Sequence, residues 1–258
     1  MAKYLLETKG LTRHFGGLIA INNVDLEINT GTIHGIIGPN GAGKTTLLNL
    51  IAAFHQVSNG SIIYKGKDIT NKDTAQRARS GIRRTFQNLK IFSEMTTIEN
   101  VSIGLHATNS AGIFDALLQT SRHHKTELNI FSSAYETLDL VGLSSYANSI
   151  AGQLAYGHRR LLEIARAIVS EPDLLLLDEP AAGLNSTESI ILSKLIKKIQ
   201  SRGTTIILVE HHMDVVMSVC DMITVLNHGQ KLAEGNPSQI QSNPLVIDAY
   251  LGNSTNQS

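Results

Sequence analysis

The chain has 258 residues, 42% of them hydrophobic, which suffices for one large α/β domain or for one domain with a smaller inserted domain. Lysine plus arginine and aspartate plus glutamate each number 22, so no overall charge attracts the chain to nucleic acid or to an anionic membrane surface. The single Cys220 excludes an internal disulfide, and without a signal-peptide pattern or a long apolar run the chain is expected to be neither exported nor membrane-spanning.

The N-terminal part of the chain predicts a small antiparallel β sheet. The stretch "NVDLEIN" places Val24, Leu26 and Ile28 on one face of a strand, and "GSIIYKG" alternates in the same way between glycines. Between them, "TIHGIIG" is a short apolar strand that leads into a glycine-rich loop and then into "KTTLLNLIAAF", which has leucines at helical spacing. A strand, a loop and a helix therefore follow one another here.

The middle and the C-terminal part of the chain predict different secondary structure. Residues 87–158 contain helical segments such as "SSAYETLDLVGL" separated by polar linkers, which predicts an inserted helical subdomain. Strands return with "DLLLLD" and "TTIILVE", which are joined by a helix with Asn185 as its predicted N-cap and Glu188 at the third position. We predict an α/β core of residues 1–86 and 159–235, which includes the antiparallel β subdomain, and a C-terminal tail of residues 236–258.

The loop "GPNGAGKT" matches the pattern G-x4-G-K-S/T of phosphate-binding loops. Its glycines let successive backbone N–H groups turn toward phosphate oxygens, while Lys44 reaches the β- and γ-phosphates and the Thr45 hydroxyl binds Mg²⁺. A glycine-rich turn with an incidental lysine is the alternative, but a strand and a helix flank the loop as the motif requires. The predicted nucleotide-binding residues are Gly38, Pro39, Asn40, Gly41, Ala42, Gly43, Lys44, Thr45 and Thr46.

Two acidic residues end the apolar strand "LLLLDEP". Ligands bind at the carboxyl ends of the strands in an open parallel sheet, so we expect Asp178 to bind the magnesium ion. Glu179, one residue further, is placed to polarise a water molecule for attack on the γ-phosphate. The alternative is that both acids simply leave the core where the strand ends.

The phosphate loop, "TFQN", "LAYGH", "LLLLDEP", "AAGLN" and "VEHH" occur in the order found in ATP-binding cassette (ABC) ATPases, and the chain resembles this family over practically its whole length. The resemblance implies a P-loop NTPase core with an N-terminal antiparallel β subdomain and an inserted α-helical subdomain. It also implies that ATP and Mg²⁺ are the cofactors, and that two cassettes bind head to tail.

The resemblance assigns roles to further residues. Phe15 is similar to the aromatic residue that stacks on adenine, and Gln87 to the residue that links the magnesium site to the membrane partner. Asn185 lies in the D-loop, and His211 matches the switch histidine that contacts the γ-phosphate. The implied catalytic residues are Glu179, His211, Gln87 and Lys44, and the implied metal ligands are Thr45, Gln87 and Asp178.

A short signature precedes the helix "LLEIARAIV" and is implied to close over the ATP of the partner cassette. Gly157 at the start of this helix offers backbone N–H groups and a positive dipole end to an anion, which agrees with that role. The signature consists of Leu154, Ala155, Tyr156, Gly157 and His158.

The sequence departs from the family pattern at several positions. In the signature, Ala155 replaces a common serine and His158 a glutamine, so one hydroxyl donor is missing and we expect weaker, not absent, ATP sandwiching. Asn185 replaces an aspartate, which keeps hydrogen-bonding ability and loses charge. The neighbouring His211 and His212 invite a metal-binding hypothesis, but neighbours on a strand point to opposite faces, which speaks against it.

Longer stretches resemble the ATP-binding subunits of branched-chain and hydrophobic amino acid importers. They are "RRTFQNLKIFSEMTTIENV" with its helical insertion, "LAYGHRRLLEIARA" leading to "LDEPAAGLN", and "NPLVIDAYLG". The resemblance implies a peripheral subunit on the cytoplasmic face of a bacterial or archaeal plasma membrane. Its implied partners are a second ATPase, the same or homologous, two integral membrane permease subunits and, indirectly, a periplasmic or extracellular solute-binding protein.

Other functions are also compatible with parts of the sequence. One alternative is an ABC ATPase that transports another substrate, as in urea import or lipopolysaccharide export. Others belong to a different class of protein: a soluble ABC ATPase that acts on ribosomes or DNA, or a kinase or GTPase with the same phosphate loop. We expect no nucleic-acid partner, because no aromatic residues alternate with the arginines of "AQRARSGIRRTFQ". We interpret those arginines as one solvated helical face near the ATP site, formed by Arg77, Arg79, Arg83 and Arg84.

Overall fold

The computed structural model describes residues 3–85, 90–106 and 121–251, in which two β sheets and a group of helices form the fold. The first sheet is antiparallel and has the strand order β2-β1-β4-β5. Val24, Leu26 and Ile28 of β2 are all buried, which confirms the predicted alternation. The strands of this sheet are β1 (Leu6–Phe15), β2 (Leu18–Ile28), β4 (Asn59–Tyr64) and β5 (Lys67–Asp68).

The second sheet has the order β10-β9-β3-β8-β7-β6, and its strands are parallel except for β10. Every residue of β3, β7 and β8 is buried, which is typical of parallel strands covered on both faces. The strands are β3 (Ile33–Ile37), β6 (Ile82–Arg84), β7 (Leu174–Asp178), β8 (Thr205–Val209), β9 (Met222–Asn227) and β10 (Gln230–Gly235).

The helices of the described residues lie between and around these strands. Residues Ser144–Tyr146 and Ala151–Gln153 form short 3₁₀ turns. The helices are α1 (Lys44–Ile51), α2 (Thr74–Arg79), α3 (Thr97–His106), α4 (Ser121–Leu140), α5 (Tyr156–Ile168), α6 (Ser186–Gln200), α7 (Met213–Val219), α8 (Pro237–Gln241) and α9 (Pro244–Leu251).

The parallel sheet separates two hydrophobic clusters. Because side chains alternate along a strand, Leu175 and Leu177 of β7 pack into the cluster on the helical side, while Leu174 and Leu176 pack toward α1 and the antiparallel sheet. On the helical side α3 approaches α5 closely at Gly104, where an added Cβ would collide with the Arg166 carbonyl. The predicted fold class, an α/β core with an antiparallel sheet and added helices, is confirmed.

The predicted division of the chain at residues 87 and 158 stays a prediction. The predicted capping box of α6 is confirmed, since Asn185 Oδ1 accepts the Glu188 N–H at 3.0 Å and Glu188 Oε2 accepts the Asn185 N–H at 2.9 Å. Among the described residues, no helix is both long and apolar enough to cross a membrane.

The interpretation of four arginines as one solvated helical face is wrong. Arg79 is exposed on α2, but Arg77 of the same helix is 2% exposed and donates to backbone carbonyls of the core. Arg83 and Arg84 belong to strand β6, which pairs with β7, and both are half-buried. Helical periodicity failed here because α2 ends at residue 79 and the chain turns at Gly81 into a strand.

Candidate active site

The phosphate loop joins the buried strand β3 to α1, as the sequence predicts. Two of its glycines are sterically required. Gly38 has φ 151° and an added Cβ would collide with the Leu226 carbonyl, while Gly43 has φ 101° and its Cβ would lie 2.6 Å from the Ala20 carbonyl oxygen. No side chain of the described residues caps the N-terminus of α1, which leaves its first backbone N–H groups without a side-chain acceptor.

Lys44 folds back over this loop. Its ammonium donates to the Gly38 carbonyl at 2.8 Å and to the Pro39 carbonyl at 3.0 Å. Burial lowers the pKa of Lys44, and the nearby carboxylates Glu179 and Asp178 oppose that shift. The phosphate loop and the acidic end of β7 therefore lie within electrostatic reach of one another.

Asp178 ends β7 and is 1% exposed. Arg84 of the neighbouring strand β6 donates to its Oδ2 at 2.8 Å, whereas Oδ1 is buried and has no hydrogen-bond partner among the described residues. Burial raises the pKa of this carboxyl, and the hydrogen bond and charge of Arg84 oppose the rise. A buried carboxylate oxygen without a hydrogen-bond partner is suited to bind a cation.

Glu179 has an unusual backbone conformation for a residue with a side chain, with φ 48°. Its N–H donates to the Val209 carbonyl at 2.8 Å, which holds the end of β7 against the end of β8. Its carboxylate lies 3.8 Å from His211 Nδ1. Strained backbone of this kind concentrates at functional sites, and here it occurs at an acidic residue whose carboxylate lies beside His211.

His211 and His212 do not point to opposite faces, so that expectation from the sequence is wrong. Strand β8 ends at Val209, before the pair, and the two imidazole rings lie 4.5 Å apart. Nevertheless, no group of three or more His, Cys, Asp and Glu side chains in the described part of the chain could hold a metal ion.

A cavity of about 510 Å³ brings many of the predicted residues together. Phe15 lies at its rim, with the Arg13 guanidinium 4.5 Å from the ring centroid and His55 against the ring edge. Leu18, Ile19, Ala20, His228 and Gly229 also line this cavity and were not predicted. The predicted residues in its lining are Phe15, Asn40, Gly41, Ala42, Gly43, Lys44, Thr45, Thr46 and Glu179.

The signature does not line this cavity. Residues 154–158 lie around the start of α5, where Ala155 is the N-cap residue without a capping side chain. His158 is half-buried and its ring lies 4.7 Å from the ring of Tyr146. Gln87, which the resemblance assigns to the metal site, lies outside the described residues.

Sequence reasoning gave no role in the site to two charged residues: it placed Arg84 on a solvated helical face and did not single out Glu210. Arg84 pairs with Asp178 and also donates to Asn49 Oδ1 of α1 at 2.5 Å. Glu210 is completely buried, and it accepts N–H groups from Ala181 at 2.6 Å and from His211 at 3.0 Å. Glu210 ends the apolar run "TTIILVE" just as Asp178 ends "DLLLLD", and that parallel was a usable signal.

Comparison with known proteins agrees with this geometry. The family model described as "ABC transporter" matches residues 21–182, and the model described as "Branched-chain amino acid ATP-binding cassette transporter" matches residues 230–254. The chain therefore belongs to the ABC transporter family, as one of its ATP-binding, ATP-hydrolysing cassettes.

Among the relatives, the high-affinity branched-chain amino acid transport ATP-binding protein LivG of Escherichia coli (strain K12) is 44% identical, over 98% of this chain and 99% of that protein. The ADP conformation of an ATP-binding cassette of an ABC transporter matches with TM-score 0.84 and 30% identity, over 97% of this chain and all of that one. A dimeric post-hydrolysis state of an ATP-binding cassette, bound to ADP and Pi, matches with TM-score 0.76 and 25% identity, over 90% and 98% of the two chains.

Proposed function

We propose that this chain is the ATP-hydrolysing subunit of an importer for branched-chain and other hydrophobic amino acids. The near-complete match to a branched-chain amino acid transport ATP-binding protein supports the substrate class. The match of residues 230–254 to a model from the same group of transporters supports it independently, because that segment lies outside the ATP-binding motifs.

The observation that carries the ATPase chemistry is the grouping of Lys44, Asp178 and Glu179. In the proposed complex, adenine stacks on Phe15 at the cavity rim, and the phosphates lie on the backbone N–H groups of residues 38 and 40–46. Lys44 exchanges its contacts with the loop carbonyls for contacts with the β- and γ-phosphates, since both kinds of oxygen accept from its ammonium.

The residues present fit a magnesium ion bound together with the nucleotide. Thr45 would hold it through its hydroxyl, and Asp178 through the buried Oδ1 that has no hydrogen-bond partner among the described residues. When bound, the ion neutralises charge that develops on the phosphate oxygens. Gln87 is the third proposed ligand and also the link to the membrane subunits.

Glu179 is the proposed general base. Its carboxylate takes a proton from a water molecule while the water oxygen bonds to the γ-phosphorus, and the bond between that phosphorus and the bridging oxygen of ADP breaks. His211, whose Nδ1 lies 3.8 Å from the Glu179 carboxylate, contacts the γ-phosphate. Free phosphate and ADP are the products.

The signature, residues 154–158, serves a second cassette. Its position outside the chain's own nucleotide cavity supports this assignment, as does the start of α5, which no side chain of the described residues caps. The similarity to a dimeric cassette structure also supports it. The partner is a second copy of this chain or a homologous ATPase, and both dock on two permease subunits at the cytoplasmic face of the membrane.

Replacement of Glu179 by glutamine tests the proposed chemistry. The amide keeps the size of the side chain but cannot take the proton, so single-turnover hydrolysis should fall by roughly 10²- to 10⁴-fold. ATP binding should persist, and size-exclusion chromatography with MgATP should show accumulated dimers. Lys44→Ala should instead lose ATP binding and form no dimer.

Glu171→Gln is a matched control for this experiment. Glu171 has the same φ of 48° as Glu179 but is exposed and does not line the nucleotide cavity, so its replacement should leave hydrolysis unchanged. Near-normal hydrolysis in Glu179→Gln would exclude Glu179 as the base.

Uptake of labelled substrate tests the proposed importer. Proteoliposomes containing the chain, its cognate permeases and solute-binding protein should accumulate leucine, isoleucine and valine in the presence of ATP. Accumulation of urea in place of these amino acids would contradict the proposed substrate class while leaving the ATPase chemistry intact.

A further inference from the structure

Tyr156 of the signature contacts its own chain in a place that the sequence did not indicate. Its hydroxyl donates to the Ala182 carbonyl at 3.1 Å. Its ring packs on Gly183, which has φ 77° and where an added Cβ would lie 3.0 Å from the ring. The third signature residue therefore contacts the 181–185 segment through a hydrogen bond and through ring packing. This segment follows Glu179 and includes the D-loop.

A second contact joins the same two parts of the chain. A Cβ added to Gly157 would collide with the Glu188 carboxylate, so that carboxylate lies directly against the signature glycine. Glu188 also accepts the N–H of Asn185, the last residue of the 181–185 segment, at 2.9 Å. Glycine at position 157, which is buried, is thus required by the close approach of α6.

The opposite end of the 181–185 segment is held beside the proposed catalytic groups. Ala181 donates its N–H to Glu210 Oε1 at 2.6 Å, and Glu210 Oε2 accepts the N–H of His211 at 3.0 Å. The N–H of Glu179 is fixed on the Val209 carbonyl. A continuous set of contacts therefore runs from Tyr156 through Ala182 and Glu210 to His211.

We propose that Tyr156 is a positioning residue that connects the signature, when it closes on the partner's ATP, to Glu179 and His211 of its own chain. The inference rests on the proposed function of the signature. Tyr156 does not line the chain's own nucleotide cavity, so it acts on that site through Ala182 and Glu210. A hydrogen bond tolerates only a few tenths of an ångström of stretching, so a displacement of the signature moves the 181–185 segment with it or breaks the bond.

Tyr156→Phe separates this role from a direct contact with nucleotide. The ring and its packing on Gly183 remain, and only the hydroxyl is lost. The hydroxyl also accepts from Arg160 Nη2 at 3.5 Å, a long contact within α5 itself. In the otherwise wild-type chain, kcat for ATP hydrolysis should fall about fivefold, the size expected for loss of the neutral hydrogen bond to Ala182. In the Glu179→Gln background, the ATP concentration that gives half-maximal dimer should stay within twofold of its value with Tyr156.

Tyr135→Phe is the matched control, because Tyr135 is exposed on α4 and should leave both kcat and dimer formation unchanged. Unchanged kcat in Tyr156→Phe would overturn the inference. Equal loss of kcat and of dimer formation would also overturn it, because Tyr156 would then act by binding the partner's ATP.

Hydrogen exchange gives a second readout that does not depend on hydrolysis. In Glu179→Gln dimers formed with ATP, amides of residues 182–185 should become protected together with the start of α5. With Tyr156→Phe added, α5 should stay protected while residues 182–185 exchange faster, and equal protection in both dimers would contradict the proposed link. If Glu179→Gln itself forms no dimer while Tyr156 is intact, the proposed function fails before this inference is tested.

Discussion

Glu210 illustrates how one buried carboxylate can organise the backbone of a catalytic region. It accepts hydrogen bonds from the N–H groups of Ala181, His211 and His212 at 2.6, 3.0 and 3.3 Å. The residue has no exposure to solvent. Hydrogen bonds to an ionised acceptor contribute more than neutral ones, and three of them offset the burial of one charge. Glu210 therefore joins the two segments that follow β7 and β8, together with the bond from the Glu179 N–H to the Val209 carbonyl.

Glu210→Gln should lower both stability and activity. Glutamine has one acceptor oxygen, and its NH₂ group would face N–H donors that the carboxylate now satisfies. We expect the free energy of unfolding to fall by about 2 kcal/mol and kcat for hydrolysis to fall at least fivefold. Urea unfolding and steady-state ATPase assays measure the two effects, and Asp214→Asn, at an exposed acid of α7, is the control. A variant with wild-type kcat would contradict the role given to Glu210.

Arg77 of α2 connects this helix to the end of α1. The Arg77 side chain donates to the carbonyls of Leu50 and Ile51 at 2.6 and 2.9 Å, and to those of Thr70 and Lys72 at 2.8 and 3.1 Å. The last carbonyls of a helix have no partner within the helix, and this guanidinium supplies partners at the end of α1. Burial lowers the pKa of Arg77 to about 10, which still leaves the group charged at neutral pH.

Arg77→Met should therefore destabilise the junction between these helices. The apolar side chain fills a similar volume but removes the Arg77 donor from four carbonyls, of which Leu50 keeps the N–H of Ala53 at 3.2 Å. The free energy of unfolding should therefore fall by about 3 kcal/mol. Arg79 lies on the exposed side of the same helix, so Arg79→Met should change the free energy of unfolding by less than about 0.5 kcal/mol. Urea titration of both variants measures the difference, and equal midpoints would show that the Arg77 contacts contribute nothing net.

The molecule as a whole is arranged around strand β3, which lies between β8 and β9 and ends in the phosphate loop. His34 of β3 is 2% exposed, and its Nε2 lies 2.8 Å from Thr224 Oγ1 of β9. Burial lowers the pKa of His34 to about 4. The folded protein therefore keeps this imidazole neutral over a range of pH in which the unfolded chain binds a proton.

Linkage then predicts a loss of stability in mild acid. Between pH 6.5 and about 4 the unfolded state binds more protons at His34, so this residue's contribution is complete above pH 6.5 and declines by about 3 kcal/mol as pH falls to 4. His34→Gln cannot titrate, so its free energy of unfolding should fall less steeply over that range. Chemical denaturation at several pH values from 4 to 7.5 tests this, and parallel pH profiles would refute it.

Much of the site could be predicted from the sequence because its parts are contiguous. The phosphate loop depends on the backbone of nine successive residues, and Asp178 and Glu179 stand next to each other at the end of one apolar strand. Periods of two and 3.6 residues likewise determined the strands and most helices, since burial of one face imposes them locally. At α2 and β6 the periodicity gave the wrong face, because a turn at Gly81 separates a helix from a strand.

Only the tertiary structure decided which distant residues meet. Arg84 reaches Asp178 because β6 pairs with β7 in parallel, and a pairing between segments 94 residues apart leaves no periodic trace in the sequence. The Tyr156 hydroxyl meets the Ala182 carbonyl because the turn into α5 packs on the segment before α6. Local sequence selects helix, strand and loop through backbone preferences and burial, whereas strand order and helix packing bring these charged and hydroxyl groups within hydrogen-bond distance.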